Sequence, residues 1–181
     1  MVARALIGKR IVRHIEENTL VGRIVEAEAY RGSEDAASHA HRGRTERNAP
    51  MFGPPGYTYV YFIYGMHWMF NIAAHTPQQP GAVLIRALQP EEGLESMRAH
   101  RNLQRDRNLT NGPAKLAQAM GIDDGMNDLD LCTSPELYIT EGKLREGEKI
   151  VCGPRVRVPG GERAQRRPWR FWIADNPWVS S

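Results

Sequence analysis

The stretch 54–74, PPGYTYVYFIYGMHWMFNIAA, limits what this chain can fold into more than any other part of it. It holds four of the six tyrosines, two of the four phenylalanines and one of the four tryptophans. Tyr57, Tyr59, Tyr61 and Ile63 alternate with Thr58, Val60, Phe62 and Tyr64, so an extended chain presents two distinct faces. Tyr64-Gly65-Met66 breaks the alternation where a strand must reverse, and the pattern predicts a β-hairpin with an aromatic tip. An apolar tip gains nothing in water, so a hairpin of this kind needs a receiver outside the chain.

The elements around it follow from the same period-two reading. A short helical fragment over 1–6 precedes predicted strands over 8–14 and 19–30, joined by a turn at Glu16-Glu17-Asn18. Within the second strand, E-A-E-A-Y puts Glu26, Glu28 and Tyr30 on one face and Ala27 and Ala29 on the other. A carboxylate on a strand that began as core is costly to bury unless it is paired or used. Residues 31–50 are polar, rich in Arg and Gly, and predict a loop with a short helix over 34–38. Loops of that length in compact domains are often functional. A turn over 77–81 leads to a strand over 82–88 that carries Arg86. Pro90-Glu91-Glu92 reads as a helix start, with proline and acids in the first turn and arginines at the far end. Asn111-Gly112-Pro113 starts a second helix over 114–120, stopped by Gly121. Strands over 136–139, 149–158 and 169–174 complete the sheet.

At 181 residues and 41% hydrophobic, the chain suits one buried core and is short for two. No apolar run approaches the roughly 20 residues of a membrane span, and no signal-peptide pattern opens the chain. Cys132 and Cys152 lack C-x-x-C or C-x-x-H neighbours; they predict neither a zinc site nor a disulfide and read as small hydrophobes in a reducing compartment. The net charge of +3 is laid out unevenly, with arginines clustered at 42–47, 98–107 and 163–170. Such clusters fit a polyanionic partner, and equally a solvated mixed-charge surface. Lys115, at the Gly-Pro-Ala-Lys helix start, stands where a phosphate could sit, although an ordinary capped helix reads the same way.

Glu28, Tyr30, His39, Tyr61 and Arg86 are the groups that the strand faces could bring together. Each also has a plain reading: a salt-bridged strand carboxylate, tyrosines at the core edge, a loop histidine. A phosphate-binding loop, a nucleophile elbow and a zinc-deaminase signature are all missing, and nothing suggests a nucleotide cofactor.

The blocks GRIVEAEAY, S-H followed by TERNAPMF, YVYFIYGMHWMFN, IRALQP with GLESM, NGPAKLAQAMGI and PWRFWIADNPWVS, in that order, resemble the alkyladenine (3-methyladenine) DNA glycosylase family over nearly the whole chain. The resemblance implies a monomeric base-excision-repair enzyme, without cofactor or metal, that flips a damaged purine out of double-stranded DNA and hydrolyses its N-glycosidic bond. It implies no membrane partner, and a cytoplasmic setting in a bacterium or a nuclear one in a eukaryote. By position, Glu28 resembles the family's general base, and Arg86 and the Val156 main-chain carbonyl the groups that hold the attacking water. Tyr30, His39 and Tyr61 resemble pocket walls, with the His39 main-chain N–H a donor to the base. Asn71 resembles the residue that crowds guanine's exocyclic amine, and Tyr64 the wedge that fills the vacated stack. Lys115 then becomes a candidate phosphate contact. The expected fold is α+β: a single domain over 1–181 with a curved, mostly antiparallel sheet, flanking helices and a protruding aromatic hairpin.

The chain departs from the family at three places. Arg157 stands where glycine is usual at the pocket edge, Ser38 where alanine is common before the pocket histidine, and the opening VARALIGK where a further helical segment usually precedes. A damage-binding protein with the same wedge but no hydrolysis, and a nucleoside hydrolase with idle basic clusters, are the rival readings. A carboxylate opposite Arg86 argues against the first, and salt-dependent affinity for duplex DNA separates the second.

Overall fold

The β-branched and apolar residues of the first third of the chain form the middle of one sheet. A computed structural model describes residues 1–75, 79–106 and 108–180. Helix α1 (Val2–Leu6) leads into strands β1 (Arg10–Ile15) and β2 (Asn18–Arg31), an antiparallel pair closed at Glu16-Glu17. β3 (Thr58–Ile63) and β4 (His67–Ala73) form the aromatic hairpin, and β5 (Gly81–Glu92) runs antiparallel between β4 and β2. Helices α2 (Leu94–Arg101) and α3 (Pro113–Ala119) follow, then β6 (Leu137–Thr140), β7 (Ile150–Gly153), α4 (Gly161–Gln165) and β8 (Arg170–Ile173). The strand order is β3-β4-β5-β2-β1-β6, with β8 also on β2 and β7 on β8, and every pairing is antiparallel. The fold is α+β, a curled antiparallel sheet with a few helices.

Packing explains why β2 and β5 are central. Leu20, Ile24, Val25, Ala27, Val83, Ile85 and Leu88 are almost wholly buried. They share one core with Met97 of α2 and Leu116 and Ala117 of α3. Each large side chain buried there contributes about 1.5–3 kcal/mol. In the hairpin the alternation divides the burial, since Val60 joins that core whereas Tyr59 and Tyr61 pack with Ala40, Met51 and Ala82 on the opposite face.

Four expectations are corrected. Pro90, Glu91 and Glu92 end β5, because Pro90 pairs with Gly22 and Glu92 with Val21. Glu91 there meets Arg10, Arg23 and Arg145, so strand pairing and charge override the helix-start signature. Helix α2 starts one step later, after Gly93 (φ 74), where a β-carbon would lie 2.6 Å from the Thr19 carbonyl oxygen. The helix expected over 34–38 is a series of turns, since the Asp35 carboxylate accepts from the Arg31 and Ala37 N–H groups and holds the backbone out of helical register. The long strand expected over 149–158 ends at Gly153, where Pro154 turns the chain. Both cysteines are exposed thiols rather than core residues. The expected turn over 77–81 falls in part on residues 77 and 78, outside the described residues. Among the described residues, no helix is long and apolar enough to cross a membrane.

Candidate active site

A β-bulge builds the charged centre. Ile24 pairs with Leu88, Glu26 with Ala87 and Ala27 with Ile85, so Val25 on β2 and Arg86 on β5 have no partner across the ladder. Bulges re-aim side chains. Arg86 reaches both carboxylates of the E-A-E face, with Nε 2.9 Å from Glu26 Oε1 and Nη1 3.5 Å from Glu28 Oε2. Glu28 is fully buried. Its Oε2 also accepts from the Tyr30 hydroxyl at 2.8 Å, and its Oε1 from the Val156 main-chain N–H at 2.7 Å. All three neighbours are donors, the complement of a carboxylate. Burial and then the Glu28 charge push the Tyr30 phenol up, so it stays a protonated donor.

Above this centre lies a cavity of about 450 Å³. Tyr30, His39, Tyr61, Tyr64, Asn71, Arg86 and Val156 all line it, so seven of the nine residues singled out from the sequence share one wall system. Glu28 sits behind Tyr30, Arg86 and Val156, bonded to each. The edge of the His39 ring meets Tyr61 at 4.6 Å between centroids, and its Nδ1 lies 2.7 Å from the Tyr59 hydroxyl. Partial burial, then the nearby Arg47 charge, holds the His39 imidazole below its ordinary range. Burial pushes the Tyr61 phenol up to about 12, against the opposing pull of Arg47. Asn71 is buried, and its amide N–H groups donate to the Tyr59 and Met69 carbonyls at 3.0 and 3.3 Å.

Tyr64 also lines the cavity, at the hairpin tip, and is 82% exposed. Tyr64 (φ 54) and Gly65 (φ 67) are consecutive left-handed residues, and the Met66 N–H closes the turn on the Ile63 carbonyl at 3.2 Å. These are the φ values of a type I′ turn. A left-handed tyrosine costs about 1–2 kcal/mol, and here that backbone holds an aromatic ring away from the core. Lys115 stands apart. It lies on α3, whose Pro113 reaches the cavity, but Lys115 itself donates to Asn108 and Asn111 at 3.3 and 3.0 Å. Burial, with Arg101 close by, lowers its ammonium below the ordinary lysine range.

Two backbone details lie outside what the resemblance implied. The Val156 main-chain N–H donates to Glu28, a contact separate from the water-holding role the resemblance gives to its carbonyl. The Ser38 hydroxyl accepts from the Ala40 N–H at 3.2 Å and so braces the loop that carries His39.

The sequence reading also missed the supports. Glu26, fully buried, gathers Arg86, Arg170 and both the hydroxyl and N–H of Ser180. Arg155 is clamped on Asp35 at 2.6 and 2.8 Å and donates to the Ala29 and Ala164 carbonyls, which fixes the backbone immediately before Val156. Arg47 lies 5.3 Å above the Tyr61 ring and donates to the Phe62 carbonyl. The E-A-E alternation was the one available signal, since it put Glu26 on the Glu28 face; nothing local marks the others. A second hollow, about 550 Å³, lies between α1 and the start of the hairpin, and no carboxylate among the described residues lines it. Among the described residues, no three His, Cys, Asp or Glu side chains gather as metal ligands.

A recessed carboxylate thus lies behind an aromatic cavity, and comparison with known proteins names the class. The family described as Methylpurine-DNA glycosylase (MPG) matches residues 1–177. The chain belongs to the methylpurine-DNA glycosylase family. It is therefore a DNA repair glycosylase, a hydrolase of N-glycosyl bonds with DNA as its partner. Similar proteins carry the name "Putative 3-methyladenine DNA glycosylase". One from Natranaerobius thermophilus is 43% identical over 182 residues, covering 99% of this chain and 92% of the relative. Another from Desulfitobacterium hafniense is 44% identical over 189 residues with the same coverage. A third, from Methanocella arvoryzae, is 44% identical over 180 residues, covering 99% of this glycosylase and 89% of the relative.

Proposed function

We propose that this glycosylase extrudes alkylated or deaminated purines, of the 3-methyladenine, 7-methylguanine, hypoxanthine and ethenoadenine class, from duplex DNA. It then hydrolyses the N-glycosidic bond with a water activated by Glu28, leaving an abasic site. The observation that carries this reading is the buried Glu28 carboxylate, held by Tyr30, Arg86 and the Val156 N–H at the base of an aromatic cavity.

Each role has a physical basis. Departure of a purine leaves an oxocarbenium-like sugar, and a fixed carboxylate both stabilises that charge and accepts a proton from water. Tyr30, His39 and Tyr61 stack on the extruded base, worth about 1–3 kcal/mol per ring contact. The His39 main-chain N–H bonds to no described residue and is the donor offered to the base. Asn71, its amide N–H groups committed to backbone carbonyls, keeps a fixed shape against which a guanine amine collides. Tyr64 fills the gap in the stack and slows return of the base. Lys115 and the exposed arginines contact phosphates, which sets register without reading sequence. The described residues that line the cavity include no lysine, which favours water over an imine-forming nucleophile and hence a monofunctional enzyme.

Duplex oligonucleotides carrying each lesion, with the free base measured by mass spectrometry, test the proposal. Glu28→Gln is expected to bind lesion DNA as the parent does and to release base about a thousandfold more slowly. Parent-like turnover by that variant places the base elsewhere, and binding of lesions with no release by the parent favours a damage-binding role.

A further inference from the structure

The cavity wall carries a charge that the reaction does not use. Among the described residues that line it, only Arg86 and Arg157 bear a formal charge, and both are cationic. Arg86 is compensated by Glu26 and Glu28. Arg157 is exposed, and no carboxylate or carbonyl among the described residues pairs with it. Its backbone is fixed all the same. Arg155 is bolted to Asp35, the Val156 N–H to Glu28, and Arg157 itself sits in the left-handed region at φ 51, a conformation that glycine adopts without strain. A bulky cation therefore occupies a position where the backbone favours glycine, on the rim of the cavity.

Behind the lining, Arg47 already lies over the ring of Tyr61. A cationic base stacking on that ring finds part of the quadrupole's attraction taken by a resident guanidinium. It also meets the uncompensated Arg157. A neutral damaged purine keeps the stacking and escapes the repulsion, and an oxo group on it offers an acceptor to the Arg157 donors.

We infer that Arg157 is a specificity-determining residue that biases this glycosylase toward neutral purine lesions, oxo-bearing or cyclic-adduct bases, over cationic N-alkylated ones. The inference rests on the extruded-purine reading given above.

The test is single-turnover release of base from duplexes containing hypoxanthine, a neutral lesion, or 7-methylguanine, a cationic one, at low and at high salt. For Arg157→Gln the ratio of 7-methylguanine to hypoxanthine rates is expected to rise about fivefold at low salt, the effect of one unit charge at a partly solvated rim, and to rise less at high salt. Arg157→Lys keeps the charge and is expected to hold the ratio within about twofold of the parent. An unchanged ratio in Arg157→Gln overturns the inference. So does an equal loss on both lesions with a shallower salt dependence of DNA binding, which marks a phosphate contact instead. If the parent releases neither base, the extruded-purine reading itself fails and this inference goes with it.

Discussion

Tyr64 shows how one residue can be organised for a partner rather than for the fold. Its ring is 82% exposed and its φ is 54, so it contributes almost nothing to the core while straining the turn. Tyr64→Ala is expected to change unfolding stability by less than about 0.5 kcal/mol, because the lost side chain buries so little. The same variant is expected to bind lesion duplexes more weakly and to let the base return faster, followed with a fluorescent base analogue beside the lesion. Unaltered flipping kinetics would remove the wedge role. Residue by residue, legibility followed locality. Tyr59 and Tyr61 announced their shared face through period-two spacing, and Glu28 and Tyr30 did likewise on β2. Asp35 and Arg155 did not, because they stand 120 residues apart and each looks like an ordinary loop charge. The cysteines misled for a simpler reason: Cys152 lies on a short outer strand and Cys132 in a turn, where a small apolar side chain has nothing to pack against.

At the scale of elements, the site is a meeting of the bulged β2–β5 ladder with two loops that Asp35 and Arg155 strap together. Both partners are buried, with Arg155 Nη1 and Nη2 on the two carboxylate oxygens and the guanidinium 4.6 Å from the Tyr30 ring centroid. Burial alone would raise the Asp35 pKa, but the Arg155 and Arg31 hydrogen bonds outweigh it and leave the carboxyl below its ordinary range. Breaking one partner of a buried pair leaves the other charge uncompensated, at about 3–5 kcal/mol. Asp35→Asn is accordingly expected to lower the thermal midpoint by roughly 6–20 °C, at about 2–4 °C per kcal/mol for a chain of this size. Because the strap fixes the segment that offers the Val156 N–H to Glu28, base release is expected to slow even at temperatures where the variant is fully folded. Folded Asp35→Asn with parent-like release would confine the strap to stability. Strand and helix identities were mostly legible from pattern, whereas the Pro90-Glu91-Glu92 ending was not. Its helix-start chemistry is real, but pairing with β2 and three arginine partners for Glu91 decide the conformation.

Over the whole molecule, ion pairs between distant segments close the sheet around the core, and one of them makes stability depend on acid. Arg23 of β2, only 1% exposed, holds Glu148 through two bonds of 2.7 Å and Gln89 of β5 through a third. The Arg145 N–H adds a further bond to Glu148 Oε2. These donors, Arg23 first, bring the Glu148 carboxyl from 4.5 down to about 2. A folded pKa below the unfolded one means that the unfolded chain binds the proton more readily. The contribution is therefore complete above about pH 4.5 and is lost as pH falls toward about 2. Near neutrality, Glu148→Gln is expected to lose about 3 kcal/mol, since Arg23 stays buried with a neutral partner. On acidification the parent surrenders the same interaction by protonation, so the gap between parent and variant should close through that window. Denaturant unfolding of both proteins at intervals from pH 7 to pH 2 measures it. A gap that stays constant down to pH 2 would mean that the Arg23–Glu148 pair contributes packing alone and that acid acts on the fold through other groups, Asp35 among them.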